Sequence, residues 1–186
     1  MDILGPFPRA TDNRRFVLVA VDYFTKWAEA EALAKIWDVD VKKFVWKNIV
    51  TRFRVLDTLI SDNGLQFDSR AFRDFYRDLS ITNRYSTPAY PQSNGQAEAI
   101  NKTILNGLKR RLDGAKGNWA KELPNVLWAY QTTPRRSIGE TPFSLTYGAE
   151  AVIPAEVNLC SGRVDGFDPV QNELMMVERL DLMEEY

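Results

Sequence analysis

Three acids stand where their chemistry could meet: Asp2 in the apolar opening Met1-Asp2-Ile3-Leu4, Asp62 between Thr58-Leu59-Ile60-Ser61 and Asn63-Gly64, and Glu98 shortly after Gly95. An acid at a strand end projects into the crevice where α/β folds place their sites, and an acid on the first turn of a helix packed across that sheet can face it. Three carboxylates converging without histidine or cysteine form a hard oxygen site, suited to magnesium or manganese rather than zinc. Two such ions, about 3.5–4 Å apart, clamp a phosphodiester between the attacking and the leaving oxygen. Phosphoryl transfer asks mainly for that positioning and charge neutralisation, so no protein nucleophile is required. The bland alternative is that, with 25 acidic residues, some triple occurs at any spacing, and Asp62 before Asn-Gly also suits a turn or cap.

The elements that must position these acids are readable from periodicity. Phe16 to Val21 is a continuous apolar, β-branched run that predicts a buried central strand, and Trp27 to Leu33 alternates small apolar and charged residues like a half-exposed neighbour in a hairpin. Met1 to Leu4 reads as the tail of a strand, ended by Gly5-Pro6. From Asp38 to Phe53 apolar residues recur at three and four, predicting an amphipathic helix; Thr58 to Ile60 is a short buried strand. Ser69 caps a helix carrying Phe72, Phe75, Tyr76 and Leu79, and Ile81 to Tyr85 is a further strand. Pro88 and Pro91 predict a loop over Thr87 to Asn94, before a long helix from about Gly95 to Leu112 striped by Ile100, Ile104 and Leu108. Trp119 opens another helix to about Tyr130, and Pro142 to Tyr147 a short one. The order of strands and helices argues for an α/β layered domain over residues 1–158, with an acidic linker or partial helix over 159–186.

Composition narrows the chemistry further. The chain has 186 residues, one cysteine (Cys160) and no histidine, which excludes an internal disulfide, a Cys/His zinc site and a histidine triad. No run of about 18 apolar residues and no basic-then-apolar leader is present, so the expectation is an intracellular protein without a membrane segment. The net charge of −1 hides an uneven distribution: Lys102, Lys109, Arg110, Arg111, Lys116, Lys121, Arg135 and Arg136 face only Asp113 and Glu122 between residues 101 and 136. Glu98, Lys102 and Lys109 follow at successive offsets of four and seven, on one helix face, where the lysines read equally as DNA-contacting cations or as a solvated row. Trp46, Trp119 and Trp128 lie on helices with buried-face spacing and fit a core or a dimer interface better than base stacking.

Local sequence adds more than spacing. Ile60-Ser61-Asp62-Asn63-Gly64-Leu65-Gln66-Phe67, followed by Tyr90-Pro91-Gln92-Ser93-Asn94-Gly95-Gln96-Ala97-Glu98, resembles the integrase catalytic core of Ty3/gypsy-type retrotransposons and retroviruses. In that family an Asp-Asn-Gly-x-x-Phe strand end and a Pro-Gln-x-x-Gly-x-x-Glu segment supply the second and third catalytic acids, and 35 residues separate Asp62 from Glu98 as they do there. Asp2 sits where the first acid would be; Asp22 aligns with the hairpin turn and reads as a turn residue. The resemblance extends through Val21 to Trp27 and Gly139 to Phe143, reaching about Pro154. Tyr90 departs from the histidine common in the family.

The resemblance implies a ribonuclease H-like fold, a five-stranded mixed sheet flanked by helices, with its first strand truncated at the N-terminus. It implies a DNA-integrating enzyme in which Asp2, Asp62 and Glu98 hold two Mg2+ or Mn2+ ions, first trimming 3′ ends and then joining them to target DNA. DNA contacts would come from Gln92, Ser93, Asn94, Lys102 and Lys109; a homodimer or higher oligomer and nuclear action follow from the same likeness. Two alternatives stay open: a related ribonuclease H-like nuclease or transposase, and a truncated or domesticated remnant that binds nucleic acid or protein without catalysis. The second arises because the chain begins one residue before Asp2, with the family's zinc-binding domain expected upstream.

Overall fold

In the computed structural model, residues 1–62, 64–85, 91–111, 118–135 and 138–152 are described, the side chains of 65, 91–94 and 111 excepted. The chain divides into two compact units, one of Met1–Tyr23 with Ala28–Leu127 and one of Phe24–Trp27 with Trp128–Tyr186. The expected division at residue 158 and the acidic segment beyond it lie outside the described residues.

The first unit is built on the hairpin. Strands β1 (Asp2–Leu4), β2 (Phe16–Val21) and β3 (Ala28–Leu33) form an antiparallel sheet in the order β1-β2-β3, with Asp2 opposite Val19 and Phe16 opposite Leu33. Strands β4 (Thr58–Ser61) and β5 (Thr82–Tyr85) pair in parallel, Ser61 opposite Tyr85. The expected five strands are all present, yet they form a three-stranded and a two-stranded ladder rather than one continuous sheet. Among the described residues β1 and β4 form no ladder and are tied by the Met1 backbone nitrogen, which donates to the Ile60 carbonyl at 2.6 Å.

β2 is buried on both faces, as its unbroken apolar run requires. Leu18 and Ala20 pack with Leu33, Leu59 and Ile81 against α1 (Asp38–Phe44), its π-helical continuation Val45–Val50, and α2 (Arg70–Asp78). The sequence reading of one helix over Asp38 to Phe53 is met by α1, this wider-turned stretch and a closing turn, with Val41, Phe44, Val45 and Ile49 inward. That segment also corrects the reading of β3 as half-exposed. Glu29 is buried because Arg52 reaches it at 2.5 Å, while Asn48 donates to Glu31 at 3.0 Å, so the charged face of the strand is covered by partners of matching polarity.

Two long helices complete this unit. α3 (Pro91–Arg111) buries Ala97, Ile100, Asn101, Ile104 and Leu108, and α4 (Trp119–Gln131) buries Trp119, Leu123 and Val126. α3 begins earlier than the expected loop to Asn94 allows. Pro91 opens it because a first-turn residue needs no hydrogen-bonded N–H, and the proline ring already holds a helical φ. Gly107 permits the two helices to meet: a Cβ there would lie 2.7 Å from Val126 Cγ1. Trp119 is fully buried, with its indole N–H donating to Pro8 O at 2.7 Å and its ring 4.8 Å from Phe7, which assigns it to the core; Trp46 and Trp128 are exposed. No helix among the described residues is long and apolar enough to cross a membrane.

The second unit is small. Tyr130 donates its hydroxyl to Lys26 O at 2.8 Å, and the Arg135 guanidinium stacks on the Tyr130 ring at 3.8 Å. α5 (Pro142–Tyr147) is capped by Thr141, which accepts from Ser144 N at 2.9 Å, and it ends at Gly148 with φ of 74°, a left-handed conformation that glycine adopts without a Cβ clash.

Ser69 joins two helix starts in one side chain. Its Oγ accepts from Phe72 N at 3.1 Å, capping α2, and donates to Asp38 Oδ2 at 2.8 Å at the start of α1. Ser69→Ala is expected to cost about 1–2 kcal/mol of stability, measured as a lowered midpoint in urea unfolding with an unchanged slope.

Candidate active site

The geometry begins with β1 and β4. Their adjacent placement sets Asp2 and Asp62, 60 residues apart in sequence, on the lining of one cavity of about 30 Å3, shared with Met1, Tyr23, Ile60, Ser61 and Ala97. That is room for about one or two water-sized species, fitting an ion with residual water rather than a nucleotide.

Both acids are held locally. Asp2 accepts from its neighbour Ile3 N at 2.8 Å through Oδ1 and from the Asn101 amide at 2.6 Å through Oδ2. Asp62, following the last residue of β4, accepts from Gly64 N at 3.2 Å. This is the turn function that Asn-Gly suggested, and it coexists with a place on the cavity wall.

Burial raises the Asp62 carboxyl above the ordinary aspartate range; the Gly64 N–H opposes that, the charge of Asp2 reinforces it, and the Met1 ammonium opposes it. Two carboxylates whose charges repel across a small cleft are a donor set that a divalent cation satisfies: Mg2+ commonly takes one or two carboxylates and keeps several waters. The pair therefore fits one hard metal ion by its chemistry.

Glu98 is placed differently. It lies on the exposed surface of α3, one residue after the cavity-lining Ala97, and one residue is about 100° of helix rotation. Among the described residues, no group of three His, Cys, Asp or Glu side chains is close enough to hold a metal ion. The structure thus brings Asp2 and Asp62 together and leaves Glu98 on the adjoining helix surface. Asp22, just past the end of β2, is exposed and does not line the cavity.

The expected DNA-contacting residues all fall on α3. Lys102 and Lys109 are exposed on it. Gln92, Ser93 and Asn94 belong to its opening turn rather than to a loop, and their side chains lie outside those described; Tyr90 lies outside the described residues altogether.

Two participants escaped the sequence reading. Tyr23, from the hairpin turn, lines the cavity, and burial raises its phenol. Asn101 is buried on α3 and hydrogen-bonded to Asp2. Its one sequence signal is position: a polar residue three after Glu98 and one after Ile100, on the stripe that packs inward.

The order of strands and helices is that of the ribonuclease H-like fold, and solved structures agree on it. The model superposes on a chain of the simian T-cell lymphotropic virus intasome in complex with PP2A regulatory subunit B56 gamma with a TM-score of 0.68, at 18% identity, over 82% of this chain and 55% of that one. It superposes on the catalytic core domain of BIV integrase with a TM-score of 0.63, at 22% identity, over 78% of this chain and 91% of that one.

Residues 1–91 match the family model described as integrase core domain. It is 33% identical over 159 residues, 85% of its length, to the Gag-Pol polyprotein of woolly monkey sarcoma virus. It is 21% identical over 172 residues, 92% of its length, to the Pol polyprotein of transposon 412 from Drosophila melanogaster. The chain spans 9% of the first of these relatives and 14% of the second.

The raised Asp62 carboxyl carries a pH signature. Because its native-state value lies above its unfolded value, the native state retains a proton that the unfolded chain has already lost; stability falls as pH rises through that window, and the penalty is complete above it. Asp62→Asn removes the charge and keeps the turn acceptor. In chelator at neutral pH this variant is expected to unfold at higher urea than the parent, with the difference vanishing below the ordinary aspartate value of about 3.9.

Proposed function

We propose that this chain is the catalytic domain of a retroelement integrase that cuts and joins DNA with Asp2, Asp62 and Glu98 around divalent metal. The observation that carries the reading is the meeting of Asp2 and Asp62 at one cavity, walled by Ala97, in a chain that matches the integrase core domain model over residues 1–91. Asp2 and Asp62 would hold divalent metal at the cavity, with Glu98, next to Ala97 on α3, as the third carboxylate of the set. Mg2+ or Mn2+ there supplies Lewis-acid stabilisation of the phosphodiester and a more acidic oxygen nucleophile.

The chain's own residues do the rest. The small cleft leaves the scissile phosphate to lie across its mouth, and α3 offers Lys102 and Lys109 to neighbouring phosphates on an exposed face. Contacts of this kind position a duplex without reading its sequence. Gln92, Ser93 and Asn94 stand on the N-terminal turn of α3, where helix N–H groups favour anions. In this reading the substrates are the element's DNA ends and its target; trimming by water precedes attack by the new 3′-hydroxyls. A similar chain solved within an intasome supports DNA as partner and a multimeric working state. Action on chromosomal target DNA places the work in the nucleus.

A second reading is favoured by one observation: Glu98 does not join the other two acids among the described residues. A non-catalytic DNA-binding remnant would show that arrangement permanently.

The deciding experiment is strand transfer in Mg2+ or Mn2+ on duplex oligonucleotides bearing the element's terminal sequences. Asp62→Asn and Glu98→Gln are each expected to lower the rate about 100-fold or more, since several kcal/mol of charge stabilisation is lost at tenfold per 1.36 kcal/mol, while circular dichroism stays unchanged. Activity that survives Asp62→Asn removes that residue's role; a parent chain that binds DNA and never joins it favours the remnant.

A further inference from the structure

We propose that Asn101 is a positioning residue that fixes Asp2 in its cavity-facing orientation and so sets how well the carboxylate pair takes a divalent cation. The inference rests on the carboxylate-pair reading above. Asn101 is 4% exposed, buried on α3 among Ala97, Ile100 and Ile104. Its Nδ2 donates to Asp2 Oδ2 at 2.6 Å, a bond between residues 99 apart in sequence that ties α3 to β1.

Two features separate this from a core asparagine satisfied by its surroundings. First, the amide orientation is dictated by the acid. Turning the amide over would set Oδ1 against a carboxylate oxygen, so Nδ2 must face Asp2, and Oδ1 is left buried with no protein partner. An unpartnered buried acceptor is costly, so burying an amide here instead of a leucine destabilises the fold unless the bond to Asp2 serves the site.

Second, the Asp2 carboxylate is pinned at both ends. Ile3 N takes one lone pair of Oδ1, Asn101 takes one of Oδ2, and each oxygen keeps a second lone pair for a cation. With Asn101 gone, Asp2 retains only a bond to its own neighbour, which leaves the side chain free to turn away from Asp62. Partners that orient a metal-binding carboxylate in this way govern affinity without touching the ion.

The test is Mn2+ binding to the full chain, by electron paramagnetic resonance of free Mn2+ or by calorimetry, beside thermal unfolding in chelator. Asn101→Leu keeps the branched outline of the side chain and removes the donor; it is expected to weaken Mn2+ binding by about 10–100-fold. Asn101→Gln, which keeps an amide donor on a longer arm, is expected to recover most of that loss. Leu108→Ala, on the same inward stripe and about two turns away, lowers the melting temperature and leaves affinity unchanged, so a general loosening of α3 is told apart from loss of the bond. Asn101→Ala gives the same reading if the leucine variant does not fold. Affinity unchanged in Asn101→Leu or Asn101→Ala, while Asp62→Asn abolishes binding, overturns the role of Asn101 alone. Equal binding by the parent and Asp62→Asn overturns the carboxylate pair, and the positioning role with it.

Discussion

One short strand holds the site together. β1 has three residues, yet it pairs with β2 along its length, touches β4 through the bond from Met1 to Ile60, and reaches α3 through Asp2 and Asn101. The candidate site residues are positioned relative to it: Asp62 by the neighbouring strand, Glu98 and the lysines by the helix that carries Asn101. A strand this short has little ladder energy of its own, so its place depends on burial of Ile3 beside the core and on the side-chain bonds its acid makes.

The opposed carboxylates explain why the site should be the strained part of an otherwise well-satisfied unit. Elsewhere charges near the core are paired with care, Glu29 by Arg52 and Glu31 by Asn48. At the cavity two acids meet with two backbone N–H groups, one amide and the Met1 ammonium, and with no cationic side chain among the lining residues. Natural folds tolerate such local conflict where function demands it and compensate elsewhere. The compensation here is the sandwiched β2 and the aromatic cluster of Phe67, Phe72 and Tyr76, neither of which touches the chemistry.

Much of this was legible in the sequence because it is encoded locally. The apolar run of β2, the cap at Ser69 and the three-and-four spacing of α3 each report on neighbours in the chain; β2 and α2 formed where their patterns said, and the striped part of α3 is helical as expected. What depends on tertiary partners was not legible. β3 looked half-exposed because Glu29 and Glu31 are charged, and only the arrival of Arg52 offsets the burial of Glu29, while Asn48 covers the partly exposed Glu31. The start of α3 moved to Pro91 because two prolines suggest a loop equally well whether or not the second opens a helix.

The candidate site divides along the same line. Asp62 could be singled out because Asn-Gly marks a turn after a strand, and a turn after a strand is where a side chain leaves the sheet. Asp2 could be paired with it only by resemblance, since nothing local relates the chain's opening to residue 62. Asn101 was hidden for the opposite reason: its position on the inward stripe of α3 makes it look like an interruption of the core. Its meaning appears only when the group it faces is known. A polar residue on an apolar stripe either weakens a helix or finds one buried partner worth the cost, and the partner here is the acid at the centre of the site. Glu98, three residues earlier, sits off that stripe by about 60° of helix rotation, which is why the helix can pack against the sheet with its third acid outside the cavity. The face that secures α3 and the face that carries Glu98 are thus adjacent but distinct.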